Sequence, residues 1–344
     1  MKTLLIQDSG LLDTLTLLMK TVQLRPYVFL FLAGFLFFAT HLIGWPRTWR
    51  FWLISWATAF VCEFSSTRNG FPFGSYHYTG STVGQELYLF NIPFMTPISF
   101  SFLLYAAYCV ALCLTLPIRP SSASTHLILK PLHLDVGARA SWSVFLLTAF
   151  LFAFIDMVID PVALRGDRWF LGKIYYYDNL GIHFGVPLTN YVGWFVVGVI
   201  SLAIYFPIDR RLPEPEQRSD GSVTSNILMG CGLYYSVLLF NLTVTFWIDE
   251  PLIGMTGILI YIPLTVLLLL RLLGKLPAPA TQSPPDHWMV DGSRLVTVPH
   301  RFHEHGPSSL HEAGSEGLKS SVHHQGDRLL GQDARTLDTI SRSK

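Results

Sequence analysis

Two aspartates stand out because almost all of their neighbours are apolar. Asp156 and Asp160 close an apolar run that begins near Ser141. Side chains at positions i and i+4 lie on one face of a helix. A carboxylate in hydrocarbon is costly, so it faces a cavity or stays protonated, and a second acid nearby favours the protonated form of one of the two. The pair predicts a proton donor in a shielded cavity; the alternative is a helix end that reaches water, with Asp160 on the surface.

Other polar and aromatic residues occur at comparable places. Glu63 closes another apolar run and is an alternative proton donor, and Asn190 lies in the first turns of a third run. Asn190 either positions a water molecule or forms a hydrogen bond between helices. Aromatic faces would stabilise a cation formed in such a cavity. The candidates for aromatic residues that line the cavity are Phe73, Tyr76, Tyr175 and Trp194. For most of the tyrosines, the alternative is a belt of aromatic residues at the membrane interface.

Composition indicates a membrane protein. The 344 residues are 51% hydrophobic and 14% charged, whereas about a quarter of a soluble domain is charged. A formal net charge of +1 argues against a nucleic-acid partner. The four cysteines all lie in apolar runs and show neither metal-binding spacing nor a disulfide framework.

Apolar stretches predict an all-α, polytopic bundle with about seven spans. The stretches are 26–45, 49–64, 93–117, 141–163, 186–207, 224–248 and 252–273. Residues 25–275 then form the membrane domain and residues 1–24 an interfacial segment. Residues 276–344, rich in Pro, Ser, Gly and His, are predicted to be a disordered tail. Histidines in that tail could bind metal, but a solvated tail is the preferred interpretation, so no metal site is predicted.

Lys and Arg are more frequent in the loops on the side of the last span's end than on the other side. Since cytoplasmic loops carry the excess of these residues, the tail is predicted to be cytoplasmic.

A short pattern occurs twice and suggests an internal repeat. In both copies an acid at the end of a span is followed by Gly, by Tyr-x-Tyr and by Phe-x-[Ile/Val]-Pro. The first copy holds Gly74, Tyr76, Tyr78 and Phe90 to Pro93, and the second holds Gly172, Tyr175, Tyr177 and Phe184 to Pro187. Chance similarity of aromatic interfacial loops is the alternative. If the repeat is real, both loops lie on one membrane face and their acids point to a shared region.

Three segments together resemble a known family. The segments GFPFGSYHYT, FIDMVIDPVAL and YYYDNLGIHFGVPLTNYVGW are similar to those of the membrane-integral carotenoid biosynthesis family that includes the carotenoid 1′,2′-hydratases, the CruF type. The resemblance covers about residues 30–270. It implies addition of water across the terminal C1′–C2′ double bond of an acyclic ψ-end carotenoid, such as γ-carotene or lycopene, without a cofactor.

The implied chemistry suggests roles for the acids. Protonation at C2′ leaves a tertiary cation at C1′, which water captures. Asp156 is the expected donor, Asp160 its ionised partner and Glu63 the competing donor, while Asn190 is expected to position the water. Expected partners are the membrane-dissolved carotenoid, the lipid bilayer and possible further carotenoid-pathway enzymes, in a bacterial plasma membrane.

Three alternatives remain open. Aspartates at helix ends also occur in intramembrane prenyltransferases, which would need Mg²⁺ and a prenyl diphosphate. Acids within a membrane also serve transport, so a carotenoid or lipid transporter or binding protein is a second alternative. Within the same family, a cyclisation would begin with the same protonation.

Overall fold

The computed structural model describes residues 10–117, 132, 134–213 and 220–276. The predicted disordered tail lies, apart from its first residue, outside the described residues, as do its histidines. The same holds for residues 1–9 of the predicted interfacial segment.

The described residues form a helical bundle of the predicted class. The helices are α1 (Leu11–Leu24), α2 (Pro26–Ile43), α3 (Trp45–Asn69), α4 (Met95–Thr115), α5 (Val136–Arg139), α6 (Trp142–Ala163), α7 (Leu188–Arg211), α8 (Asp220–Trp247) and α9 (Pro251–Leu272). Strands β1 (Tyr76–Tyr78), β2 (Tyr88–Leu89), β3 (Ile92–Pro93) and β4 (Tyr175–Tyr177) lie in the connections.

Six helices are long and apolar enough to cross a membrane, so the chain is an integral membrane protein of the kind expected. They correspond to α2, α4, α6, α7, α8 and α9, six of the seven predicted spans. The remaining predicted span, 49–64, lies within α3, which has 25 residues and is long enough. Helix α3 is less apolar than the other six helices because it carries charged residues such as Arg47, Arg50 and Glu63.

Helix α4 lies at the centre of the bundle. Within its most apolar window 83% of residues are buried, against 28% for α2 and 33% for α9. A helix that is apolar all round is expected in such a central place.

The two long connections meet at one end, called here the loop end. Segment 70–94 joins α3 to α4, and segment 164–187 joins α6 to α7. Strands β1 and β4 pair antiparallel, with Tyr76 opposite Tyr177 and Tyr78 opposite Tyr175. This confirms that both loops lie at the same end and brings four tyrosines together.

A buried arginine ties the start of α2 to both loops. Arg25 is 0% exposed and donates from Nη2 to Glu86 Oε1 at 3.0 Å. Its Nη1 donates to the carbonyl oxygen of Leu171 at 2.6 Å. The guanidinium therefore joins residues from three separate segments of the chain.

The other end of the bundle holds a second buried ion cluster. Asp209 on α7 accepts from Arg47 Nε at 2.5 Å and from Arg139 Nε at 2.8 Å. The three side chains are nearly inaccessible to solvent. Buried charges need partners of this kind, so this cluster holds α3, α5 and α7 together, away from the loop end.

Backbone conformations support the predicted repeat. Phe90 and Phe184 both adopt the left-handed conformation, with φ of 56° and 53°, which is rare for an aromatic residue. Gly74 and Gly172 also have positive φ, at 93° and 75°. The two phenylalanines thus share an unusual conformation at the matching place of the two copies, and a common origin stays a prediction that this likeness supports.

Candidate active site

A cavity of about 160 Å³ opens among the helices near the loop end. Seven of the eight residues predicted from the sequence line it, namely Glu63, Phe73, Tyr76, Asp160, Tyr175, Asn190 and Trp194. The eighth, Asp156, does not line it. Residues from both loops and from α2, α3, α4, α6, α7 and α8 complete the wall, so the site belongs to the bundle as a whole.

Asp160 is held by three hydrogen-bond donors. Tyr175 Oη donates to Oδ1 at 2.7 Å, and Tyr177 Oη donates to Oδ2 at 2.6 Å. Asn190 Nδ2 donates to the same Oδ2 at 2.8 Å. Because every partner is a donor, the arrangement suits a carboxylate rather than a carboxylic acid. Asp160 is 7% exposed, so the alternative of a surface residue is wrong.

The two tyrosines remain donors at any physiological pH. Burial, and then the neighbouring Asp160 carboxyl group, raise the pKa of Tyr175 and the pKa of Tyr177 well above the ordinary tyrosine value. Loss of a phenolic proton would place a second negative charge beside the first. Both hydroxyl groups therefore stay protonated and able to donate to Asp160, and these two bonds are called here the clamp on Asp160.

Asn190 joins the two aspartates. Its Nδ2 also donates to Asp156 Oδ2, at 2.5 Å, so both protons of the amide serve carboxyl groups. Its side-chain oxygen is the atom left for other partners. Asn190 lies in the first turn of α7, which explains why a residue far along the chain from α6 can bridge acids on that helix.

Asp156 lies behind the cavity wall. It is 0% exposed, and its Oδ1 has no hydrogen-bond partner among the residues that the structure describes. Four residues rotate a helix about 40° beyond a full turn and advance it about 6 Å. The i, i+4 spacing therefore places both acids on one side of α6, but it brings only Asp160 to the cavity.

Glu63 faces the cavity from α3 in a different setting. The Thr96 hydroxyl lies 3.1 Å from Glu63 Oε2 and 2.9 Å from the carbonyl oxygen of Pro93. Tyr78 Oη donates to the same Thr96 hydroxyl at 3.2 Å. Thr96 has one hydroxyl proton and two acceptors within reach, so it donates either to Glu63 or to Pro93. When it donates to Pro93, its oxygen can accept from a protonated Glu63. The surroundings of Glu63 thus accommodate a carboxylic acid.

Aromatic rings form the apolar part of the wall. Trp194 stacks on Phe100, with ring centroids 4.2 Å apart, and lies 4.8 Å from Phe152. Phe73 meets Phe100 edge-on at 5.8 Å. The ring centroid of Tyr76 lies 5.5 Å from that of Tyr78 and 6.1 Å from those of Tyr175 and Tyr177. Rings of this kind bind an apolar chain, and their faces stabilise a cation.

No Lys, Arg or His is present among the residues that line the cavity. The described part of the chain also holds no group of three or more His, Cys, Asp or Glu side chains placed to bind a metal. A diphosphate needs positive charge around it. The electrostatics therefore suit a cationic species and disfavour the prenyl diphosphate of the first alternative.

Sequence reasoning missed several residues of the site. Thr96 bonds to Glu63, Tyr177 donates to Asp160, and Tyr78 donates to Thr96. Asn241 on α8 lines the cavity. The repeat contained a signal for Thr96, because it follows Pro93 by three residues as Asn190 follows Pro187. Asn241 carries no pattern beyond a single amide in an apolar helix.

Comparisons with known proteins give one family and one curated relative. A family model described as carotenoid biosynthesis protein matches residues 24–267. A bisanhydrobacterioruberin hydratase of Haloarcula japonica is 28% identical over 201 residues, which cover 57% of this chain and 56% of that protein. The match therefore spans little more than half of the relative's length. No solved structure matches the chain.

Proposed function

This chain belongs to the family of carotenoid biosynthesis proteins, and from that premise we propose that it is a carotenoid hydratase. The substrate class is an acyclic ψ-end carotenoid of the γ-carotene or lycopene type, and the product is a 1′-hydroxy carotenoid. The name of the Haloarcula japonica relative, a hydratase, supports the reaction class.

The observation that carries the proposal is the pairing of two unlike acids in one aromatic cavity. Asp160 receives three donors, which favours its anion. Glu63 lies beside the Thr96 hydroxyl, which can accept from a neutral Glu63 when its own proton is donated to Pro93. Hydration of an unactivated alkene needs both, namely an acid to protonate carbon and an anion to stabilise the cation that results.

The proposed reaction begins with Glu63. Its carboxyl proton passes to C2′, the π electrons of the alkene form the new C–H bond, and C1′ becomes a tertiary cation. The Asp160 carboxylate and the rings of Tyr76, Phe73 and Trp194 stabilise that cation. Each ring face contributes up to about 2 kcal/mol when it is desolvated.

Capture by water completes the addition. A water oxygen forms the C1′–O bond, and its surplus proton passes to the Asp160 carboxylate. Return of that proton to Glu63 through the tyrosine hydroxyls or through solvent restores the starting state. No redox partner is needed, since the sum is alkene plus water.

The geometry changes the role proposed for Asp156. Since Asp156 lies behind the wall, Glu63 replaces it as donor in this proposal. Asp156 acts through Asn190, whose amide it shares with Asp160. It thereby fixes the orientation of the amide rather than touching the substrate.

Expression in a host that accumulates lycopene or γ-carotene tests the proposal. A pigment heavier by one water is the expected result. A gain of one prenyl unit would support the prenyltransferase, a cyclised pigment of unchanged mass would support a cyclase, and an unchanged pigment would support a binding or transport protein. The last three outcomes contradict hydration.

A further inference from the structure

An amide on α8 forms part of the cavity wall and has no role in the reaction as described so far. Asn241 is 6% exposed and lines the cavity together with Val237 and Phe240 of the same helix. A buried amide in an apolar helix is costly unless its polar atoms find partners. The acids lie on α3 and α6, so Asn241 approaches the substrate space from a third helix.

The side-chain nitrogen of Asn241 has a hydrogen-bond partner, whereas its side-chain oxygen has none among the described residues. Asn241 Nδ2 donates to the carbonyl oxygen of Val237, one turn earlier, at 2.9 Å. The nitrogen must be the atom at that position, because two carbonyl oxygens cannot bond to each other. The oxygen, Oδ1, is not among the side-chain atoms of the described residues that are both unpartnered and fully buried. The oxygen therefore faces space that water can enter.

We propose that Asn241 is a positioning residue that holds the water which captures the cation. This inference rests on the proposed hydration. A water that donates one O–H to Asn241 Oδ1 keeps its lone pairs available for C1′. The amide oxygen is not basic enough to remove the proton, so that step stays with Asp160.

Loss of this acceptor would separate the two steps of the reaction. Protonation at C2′ depends on Glu63 and would continue. A cation that no water captures returns a proton from C2′ to a base, and the C–H electron pair re-forms the alkene. In D₂O each such cycle exchanges hydrogen for deuterium at C2′, so recovered substrate would gain deuterium without gaining water.

The experiment compares Asn241→Leu with wild type and with Asn226→Leu in membranes supplied with substrate in D₂O. Asn226 lies on the same helix outside the cavity, where its Nδ2 donates to the His41 carbonyl oxygen at 3.2 Å. Asn241→Leu is expected to lower hydrated product about tenfold, in line with loss of one hydrogen bond. Deuterium in its recovered substrate should equal or exceed that of wild type, and Asn226→Leu should behave as wild type.

Two results would overturn the inference. Asn241→Leu could hydrate at the wild-type rate, or it could lose hydration and deuterium exchange together while still inserting into the membrane, which would make the residue structural. The conservative Asn241→Gln keeps an acceptor and is expected to restore part of the hydration. Failure of the proposed function itself looks different, because wild type would then neither hydrate nor exchange.

Discussion

At the scale of single residues, two acids of similar chemistry in the cavity, Asp160 and Glu63, differ in their hydrogen-bond partners. Asp160 has donors on both oxygens, whereas the Thr96 hydroxyl beside Glu63 can accept. Charge-assisted bonds are roughly twice as strong as neutral ones, so in the proposed reaction these partners favour the anion at Asp160 and leave the proton on Glu63. The division of roles needs no difference in burial, since both side chains are buried.

Tyr177→Phe tests the clamp on Asp160. The change removes a donor 2.6 Å from Oδ2 and leaves the ring that packs against Tyr76. A hydrogen bond to a charged group contributes about 1.5–3 kcal/mol, so the hydration rate should fall between about tenfold and a hundredfold. Initial rates at saturating substrate are the measurement.

Tyr176→Phe is the matched control, because Tyr176 is 44% exposed and lies on the other face of the same strand. Its rate should stay at the wild-type value. If Tyr177→Phe also kept the full rate, the clamp would have no part in catalysis.

The sequence alone predicted much of this site. Apolar context singled out Glu63, Asp160 and Asn190, since polar side chains in a membrane helix need a reason to be there. Context could not separate Asp160 from Asp156, because both accept from Asn190 and only the packing around α6 brings Asp160 to the cavity. Nor could it indicate Tyr177 over Tyr176, since that depends on the register of β1 against β4.

At the scale of elements, the loops that carry the tyrosines are tied to the bundle by Arg25. Its partners are Glu86 in the first loop and the Leu171 carbonyl oxygen in the second. The paired strands are three residues long and would be weak alone. We therefore expect this buried ion pair to hold in place the part of the cavity wall that the two loops form.

Glu86→Gln tests that expectation. It leaves the Arg25 guanidinium buried without a negative partner, and such a change costs about 3–5 kcal/mol. Thermal unfolding in detergent should show a clear fall in the midpoint. Glu250→Gln is the comparison, because the Arg165–Glu250 pair is about a quarter exposed and should matter less. Equal midpoints for Glu86→Gln and wild type would show that the pair does not stabilise the fold.

Elements differ in how well the sequence predicted them. Long apolar helices can be recognised from composition alone, and six of the seven predicted spans were confirmed by length and apolarity. The strands were missed because two or three residues are too few to show an alternating pattern. The full length of α3, Trp45–Asn69, was underestimated because its ends carry arginines and polar residues.

At the scale of the whole molecule, polar groups are sorted to opposite ends of the bundle. The acids and tyrosines lie near the loop end, and the Asp209 cluster lies at the other end, where α9 finishes. A long apolar substrate is dissolved in the bilayer, whereas water comes from its surface. A site near one face has access to both, which fits the proposed hydration inside a membrane.

The orientation of the bundle follows from its Lys and Arg residues in this proposal. The end that holds Arg47, Arg139 and Arg210 is expected in the cytoplasm, and the loop end on the opposite face. A reporter fused after residue 276 should be active in the cytoplasm. Activity of that reporter on the outer side alone would reverse the assignment.

The most direct test of the account is hydration and deuterium exchange by Glu63→Gln, measured beside wild type in D₂O. Glutamine keeps the size of the side chain but cannot supply the proton, so both the hydrated product and the deuterium in recovered substrate should disappear. Asp156→Asn, which alters a residue behind the wall, should retain measurable exchange. A Glu63→Gln protein that still hydrates its substrate at close to the wild-type rate would contradict the account.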